Sequence, residues 1–206
     1  MNPITYPARP INSGPLNRAR PKPPGDWYYE PKYNGWRALV NGFTGEAWNR
    51  HGQSLTIGDE FKDAIRKIKA LAMFSEIEWW DCEALERRHN IGKGCLVVLD
   101  WVPRSNFQAL WWNRNQWLHD YLDELDQSPS VREFPLLSIP PTFQASEAMA
   151  VWGDMQSVNK SLGCDFYEGL VAKRADSPTP SSSDPPTRKP RPGSSTAGNS
   201  DPDSLC

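Results

Sequence analysis

From Trp27 the chain runs in short alternations of aromatic or β-branched residues with polar ones. The stretch "WYYEPKYNGWRALVNGFTGEAWNRHG" is broken at Asn-Gly, Thr-Gly and His-Gly. That pattern predicts strands near 27–32, 36–41 and 45–50, joined by tight turns. The period then changes. In "DEFKDAIRKIKALA" (59–72) the apolar residues Phe61, Ile65, Ile68 and Ala72 recur at helical spacing, with Asp59 as the N-cap. Lys62, Arg66, Lys67 and Lys69 fall elsewhere around that helix and read as a solvated face. Two apolar runs, "EIEWWDCEALE" and "GCLVVLDWV", flank a turn with Gly92 and Gly94 and predict a hairpin. A second helix is predicted over 106–126, its stripe made by Leu110, Trp111, Trp117, Leu118, Tyr121, Leu122 and Leu125. A third covers 146–162, with Met149, Trp152, Met155 and Leu162, and "DFYEGLVAKR" (165–174) predicts a last strand pair.

The ends behave differently. Residues 1–25 are proline-rich and read as an extended arm that packs on the body through Ile4, Tyr6, Ile11 and Leu16. From Ser177 to residue 206, proline, serine and glycine dominate, and little there can build a core; a low-complexity, disordered tail is expected. Residues 26–176 then make one domain, and 206 residues suffice for such a core. No apolar run approaches the roughly 18 residues of a membrane span, and the N-terminus lacks a signal-type apolar stretch. The expectation is a cytoplasmic protein without membrane contact.

Composition narrows the chemistry. Lys and Arg total 23 against 25 Asp and Glu, a net charge of -2, so any nucleic-acid contact must come from a local patch. The four cysteines, at 82, 95, 164 and 206, contain no Cys-x-x-Cys pair and read as reduced thiols rather than zinc ligands. Most of the ten tryptophans are assigned to the core. His51 and His89 have no partner acid or nucleophile at a telling spacing, and no Gly-x-Ser-x-Gly or Walker-type loop is present.

Four segments hold the candidate chemistry: "EPKYNGWR" (30–37), "NRHG" (49–52), "DCEAL" (81–85) with "LVVLDW" (96–101), and "EGLVAK" (168–173). Singly each has a plain reading; Asn34-Gly35 alone is a hairpin tip surrounded by exposed charges. In this order they contain what nucleotidyl transfer needs: a lysine nucleophile, carboxylates and cations for a triphosphate. Only about one lysine in a few thousand is neutral at pH 7, so Lys32 needs positive potential or desolvation, which Lys173 and Arg37 can supply. Glu83 and Glu168 are the candidate Mg²⁺ or ribose ligands.

Those segments resemble motifs I, Ia, III, IIIa and IV of the covalent nucleotidyltransferases, which comprise ATP-dependent DNA ligases, RNA ligases and mRNA capping enzymes. The Glu-x-Lys-x-x-Gly-x-Arg form and the "EGLVAK" wording look most like the adenylation domain of the DNA ligases, over roughly residues 26–176. The resemblance implies an α+β, ATP-grasp-like fold of two antiparallel β-sheets flanked by helices, with the nucleotide between them. It implies ATP and Mg²⁺, a lysyl-AMP at Lys32, and sealing of nicked DNA, with RNA as the alternative. By the same resemblance Glu30 lies near the adenine amino group, and Arg37 and Arg50 contact ribose or phosphates. Glu83 then binds ribose or metal, Glu168 sits by the metal, and Lys173 sits by the α-phosphate.

The chain also departs from the pattern. Asn34 stands where the family has aspartate, and Leu99 stands where an aromatic residue stacks on adenine, with Trp101 as a substitute stacker. The one candidate for motif V is "TRKPRP", where prolines flank Lys189 and Arg191. No oligonucleotide-binding (OB) domain is evident, so a separate OB or DNA-binding subunit is the expected partner of an otherwise monomeric chain. These losses keep open a non-catalytic module descended from a ligase.

Overall fold

A computed structural model describes residues 25–75, 77–85, 91–103, 109–123 and 136–177. The elements run β1 (Trp27–Tyr33), β2 (Trp36–Asn41), β3 (Ala47–Trp48), β4 (Ser54–Leu55), a 3₁₀ turn (Asp59–Phe61), α1 (Lys62–Ala72), β5 (Ile77–Ala84) and β6 (Leu96–Pro103). There follow α2 (Trp111–Asp123), β7 (Leu137–Ser138), β8 (Phe143–Gln144), α3 (Ala148–Leu162) and β9 (Tyr167–Arg174). The expected arm up to residue 24, the tail from residue 178, the motif V candidates Lys189 and Arg191, and Leu125 all lie outside the described residues.

Two sheets form, of three strands (β8-β1-β9) and six (β4-β3-β2-β5-β6-β7). All pairings are antiparallel except β6 with β7, which run parallel at the edge of the larger sheet. Over most of its length the larger sheet alternates, with register shifts between β5 and β6. Ala38, Val40, Trp80, Cys82, Leu96 and Val98 point to one face, where Ile68 of α1 and Leu118 and Leu122 of α2 close the main core. The opposite face carries Val97, which packs with Tyr33 and Phe166 from the smaller sheet's side. Because side chains repeat with period 2, Arg37, Asp81 and Glu83 are placed on that second face, between the sheets.

Several sequence expectations change. Asn34-Gly35 is not a hairpin tip: β1 and β2 belong to different sheets, and these two residues carry the chain across. The crossing is stitched on both sides. The Asn34 backbone N–H donates to Phe166 O at 3.0 Å and its amide to Asp165 O at 2.8 Å, while the Gly35 N–H donates to Glu83 Oε1 at 3.0 Å. The Asn34 amide nitrogen is a donor that an aspartate lacks, which gives a local reason for the departure from the family pattern. A Cβ at Gly35 would lie 2.4 Å from the Ala84 carbonyl oxygen, so only glycine fits there.

The run 165–174 holds a single strand, β9 (Tyr167–Arg174), rather than a pair, because β9's partner is the distant β1. Asp59 caps nothing through its side chain; it opens the 3₁₀ turn and pairs with Lys62 at 2.8 Å. Lys62, with Arg66 bound to Asp63, belongs to a solvated face as expected. The second helix begins at Trp111 rather than near 106, and its expected end lies outside the described residues; Leu110 is exposed, while Trp111, Leu118 and Leu122 are buried. In the third helix Met155 is buried, whereas Met149 and Leu162 face out. Gly163 ends that helix in the left-handed conformation (φ 65°), and Asn159 fastens it to β9 through two bonds with the Tyr167 backbone.

Gly35→Ala is expected to lower unfolding stability by about 1–3 kcal/mol through overpacking against Ala84. Urea denaturation checks this, and an unchanged midpoint contradicts the packing described.

Candidate functional site

Apart from Arg50, the predicted residues lie on strands of the two sheets. Antiparallel partners point to the same side, so Lys32 opposite Gly169, Glu30 opposite Val171 and Tyr28 opposite Lys173 share one face of the smaller sheet. Plain alternation would turn Glu168 the other way. The β1–β9 ladder shifts there: Lys32 pairs with Gly169 and Tyr33 with Tyr167, which leaves Glu168 as an extra, bulged residue. Bulges re-aim side chains, and Glu168 meets the Lys32 ammonium in an ion pair. Lys32 is half-exposed, at 51% of its side-chain surface, and so is reachable while held. Beside the pair opens a groove of about 760 Å³, lined by Glu168, Asn34, Asp165, Trp152, Gln156 and Lys160.

A second bulge does comparable work in the larger sheet. Asp81 pairs with Asp100 and Cys82 with Val98, so Leu99 is skipped by the ladder. Its carbonyl oxygen accepts from Lys173 Nζ at 2.8 Å. The bulge also changes the parity of the strand beyond it. Trp101 therefore turns to the helix side, where it is buried and its indole N–H donates to Arg114 O at 2.9 Å. The expectation that Trp101 substitutes for a stacking aromatic fails for that reason. Leu99 itself packs against the apolar cluster between the sheets.

Lys173 has further partners. Its ammonium reaches Glu30 Oε2 at 2.6 Å and stands 5.4 Å from the centre of the Trp111 ring. Glu30 is 1% exposed. Burial pushes its carboxyl above the ordinary range, against the opposing effect of Lys173. Arg37 forks Asp81, whose buried carboxyl is likewise raised by desolvation despite that cation. At Asp100 burial also acts upward, but the buried Arg114 grips both its oxygens at 2.8 Å and, with Lys173, holds the carboxyl below its usual value. Glu30, Asp81 and Asp100 thus face Lys173, Arg37 and Arg114 in one balanced network.

Glu83 accepts the Gly35 N–H, and its carboxyl is pushed up to about 7. Burial is the main cause, opposed by Arg37 and the Gly35 bond and reinforced by the Asp81 and Glu168 charges. Among the described residues no group of three or more His, Cys, Asp or Glu side chains is arranged to hold a metal. Glu83 and Glu168 offer two carboxylates, which suits Mg²⁺ when substrate phosphates and water supply the rest. Arg50 occupies the exposed turn between β3 and β4, where its Nε donates to His51 Nε2 at 3.1 Å.

Sequence reasoning did not single out Asp81, Asp100, Arg114 or Asn115. Arg114 carried a signal: it stands three residues after Trp111 and four before Leu118, a charge within an apolar stripe. Asp81 lies two residues from Glu83 and therefore on its face.

With this geometry the chain is similar in fold to solved DNA ligases. A structure named Pmar-Lig_PreS3 is 16% identical, with a TM-score of 0.50 over 76% of this chain and 40% of that one. A mycobacterial DNA ligase D complexed with ATP and MES is 18% identical, with a TM-score of 0.50 over 74% of this chain and 50% of that one. The ligase domain of LigD from M. tuberculosis is 18% identical, with a TM-score of 0.49 over 74% of this chain and 49% of that one. The chain therefore has the mixed α+β nucleotidyltransferase fold of ATP-dependent DNA ligases, and it spans half or less of those proteins' length. No protein-family model and no curated protein matches it.

The raised Glu83 carboxyl has a defined sign. Folded, it keeps its proton up to about 7, whereas the unfolded chain loses it near 4.5. Its contribution is fully present below pH 4.5 and is lost as pH rises through 7. Glu83→Gln removes this dependence. Relative to the parent, the variant is expected to gain as much as about 2–3 kcal/mol between pH 5 and pH 8 in magnesium-free denaturant titrations. A pH-independent difference contradicts the assignment.

Proposed function

We propose that this chain performs adenylyl transfer of the ATP-dependent DNA-ligase type, with Lys32 as the nucleophile. The observation that carries the reading is the Lys32–Glu168 pair, made by a bulge at the end of β1. It stands at the end of the smaller sheet, in a fold shared with ligases and beside the groove that Glu168 lines. The residues present suit ATP and Mg²⁺: Lys173 and Arg37 are cations for the phosphates, and Glu168 and Glu83 are carboxylates for the metal.

In the resting arrangement Glu168 holds the Lys32 side chain in an ion pair. Mg²⁺ supplies charge neutralisation for the phosphates and for the leaving pyrophosphate. A metal held by Glu168 and Glu83 would compete with Lys32 for the Glu168 carboxylate, and the amine attacks in its uncharged form, its proton passing to solvent. The Lys32 nitrogen then forms a bond to the α-phosphorus, the bond from that phosphorus to the bridging oxygen breaks, and pyrophosphate departs with the electron pair. A 5′-phosphate oxygen at a nick next attacks the same phosphorus and breaks the N–P bond, and Lys32 recovers a proton. Finally a 3′-hydroxyl attacks the activated 5′-phosphate, loses its proton, and displaces AMP. Arg37, Arg50 and Lys173 serve as phosphate or ribose contacts, Glu30 as the acceptor for the adenine amino group, and Leu99 as an apolar contact to the base.

The substrate in this reading is nicked DNA in the cytoplasm, met by a monomer together with a separate OB or DNA-binding subunit. The need for such help follows from the net charge of -2, since affinity for a polyanion grows with the phosphates neutralised. The amide of Asn34, where the family has aspartate, has a structural task at Asp165, so that departure does not count toward RNA, and DNA is preferred.

Incubation with ATP and magnesium, followed by intact mass measurement, is expected to show a gain of one AMP in the parent and none in Lys32→Ala. ATP bound without any mass gain supports the non-catalytic module instead. Label retained in Lys32→Ala removes Lys32 as the nucleophile.

A further inference from the structure

The Glu30 carboxylate is gripped from two sides. Lys173 holds Oε2, and the side-chain amide of Asn115, on α2, faces Oε1 with Nδ2 at 3.5 Å. The other end of that amide is also engaged: Asn115 Oδ1 accepts from the Thr142 hydroxyl at 3.4 Å. Asn115 is 5% exposed and Glu30 1%, so neither has water as a ready substitute. Two donor lines therefore converge on Glu30: Thr142 donates to Asn115, which donates to Oε1, while Lys173 donates both to Oε2 and to the Leu99 carbonyl of the larger sheet. An amide has one donor end and one acceptor end. Turned around, it would set its oxygen against a carboxylate and its nitrogen against the hydroxyl.

We infer that Asn115, oriented by Thr142, is a positioning residue that sets base specificity by fixing the rotation of Glu30. This rests on the adenylyl-transfer reading and adds a determinant to it. Two partners hold Glu30 in the resting state. When Lys173 is drawn toward a phosphate, Asn115 remains and keeps Oε1, so the freed Oε2 is presented in one direction only. A carboxylate oxygen so held accepts from an exocyclic amino group and repels a carbonyl oxygen, which favours adenine over guanine. Without Asn115 the carboxylate loses a buried donor and can rotate away from the base.

Asn115→Leu keeps the approximate volume and removes both bonds. Thr142→Val removes only the orienting hydroxyl, and Thr142→Ser keeps it. The test is covalent labelling of the full chain by ATP and by GTP with magnesium, over a range of nucleotide concentrations, beside thermal melts. Asn115→Leu is expected to raise half-saturation by ATP by about tenfold and to cut the ATP-over-GTP preference by about tenfold, the loss of one buried bond. The maximal rate should change less than half-saturation. Thr142→Val is expected to move both in the same direction by less, and Thr142→Ser to behave as the parent. If Asn115→Leu does not fold, the threonine pair carries the test. Unchanged ATP preference in the variants that fold overturns the inference while leaving adenylyl transfer intact. A parent that labels with neither nucleotide overturns both.

Discussion

A single ammonium ties the two sheets together where the candidate chemistry lies. Lys173 belongs to the smaller sheet and so does Glu30, but the carbonyl that Lys173 also binds belongs to Leu99 in the larger one. Two buried carboxylates, Glu30 and Asp81, and the partly buried Asp100 need cations in this region, and removing a cation from a buried one would leave a charge without solvent. Lys173 acts on all three at once, as the direct partner of Glu30 and through its field on Asp81 and Asp100. The approach of the sheets and the ionisation of the site are therefore one electrostatic problem. Asn34-Gly35 solves the covalent side of it, carrying the chain between sheets while bonding to both.

Much of this was legible in the residues. The strand runs at 27–33 and 36–41, the hairpin of β5 and β6, and the helix beginning near 60 follow from hydrophobic period and turn residues. The motif order led to the fold, and the structure sets Lys32 beside Glu168 and Arg37 opposite Glu83. What remained hidden was long-range pairing. Nothing local says that β1 leaves β2 to pair with a strand more than a hundred residues away, so the Asn-Gly step read as a hairpin tip. The partner of β9 was hidden for the same reason, and one strand was taken for two.

The bulges at Glu168 and Leu99 were equally invisible, because each is a property of two paired strands. They are what turn Glu168 toward Lys32, expose the Leu99 carbonyl, and send Trp101 to the helices. Arg114 and Asn115 escaped because they sit on a helix whose pattern spoke only of packing. One satisfies Asp100 and the other faces Glu30, so α2 is both a core element and a wall of polar support. Glu30, Asp100 and Asp81 are charges that burial alone would forbid, and pairing permits.

The most direct test of the Lys173 tie is a double-mutant cycle on unfolding free energy with Glu30→Gln, Lys173→Met and the two combined. The structure predicts that each single change costs several kcal/mol and that the pair costs less than their sum, with a coupling of about 2 kcal/mol or more. Additive losses would show that the two side chains do not depend on each other, and would contradict the account.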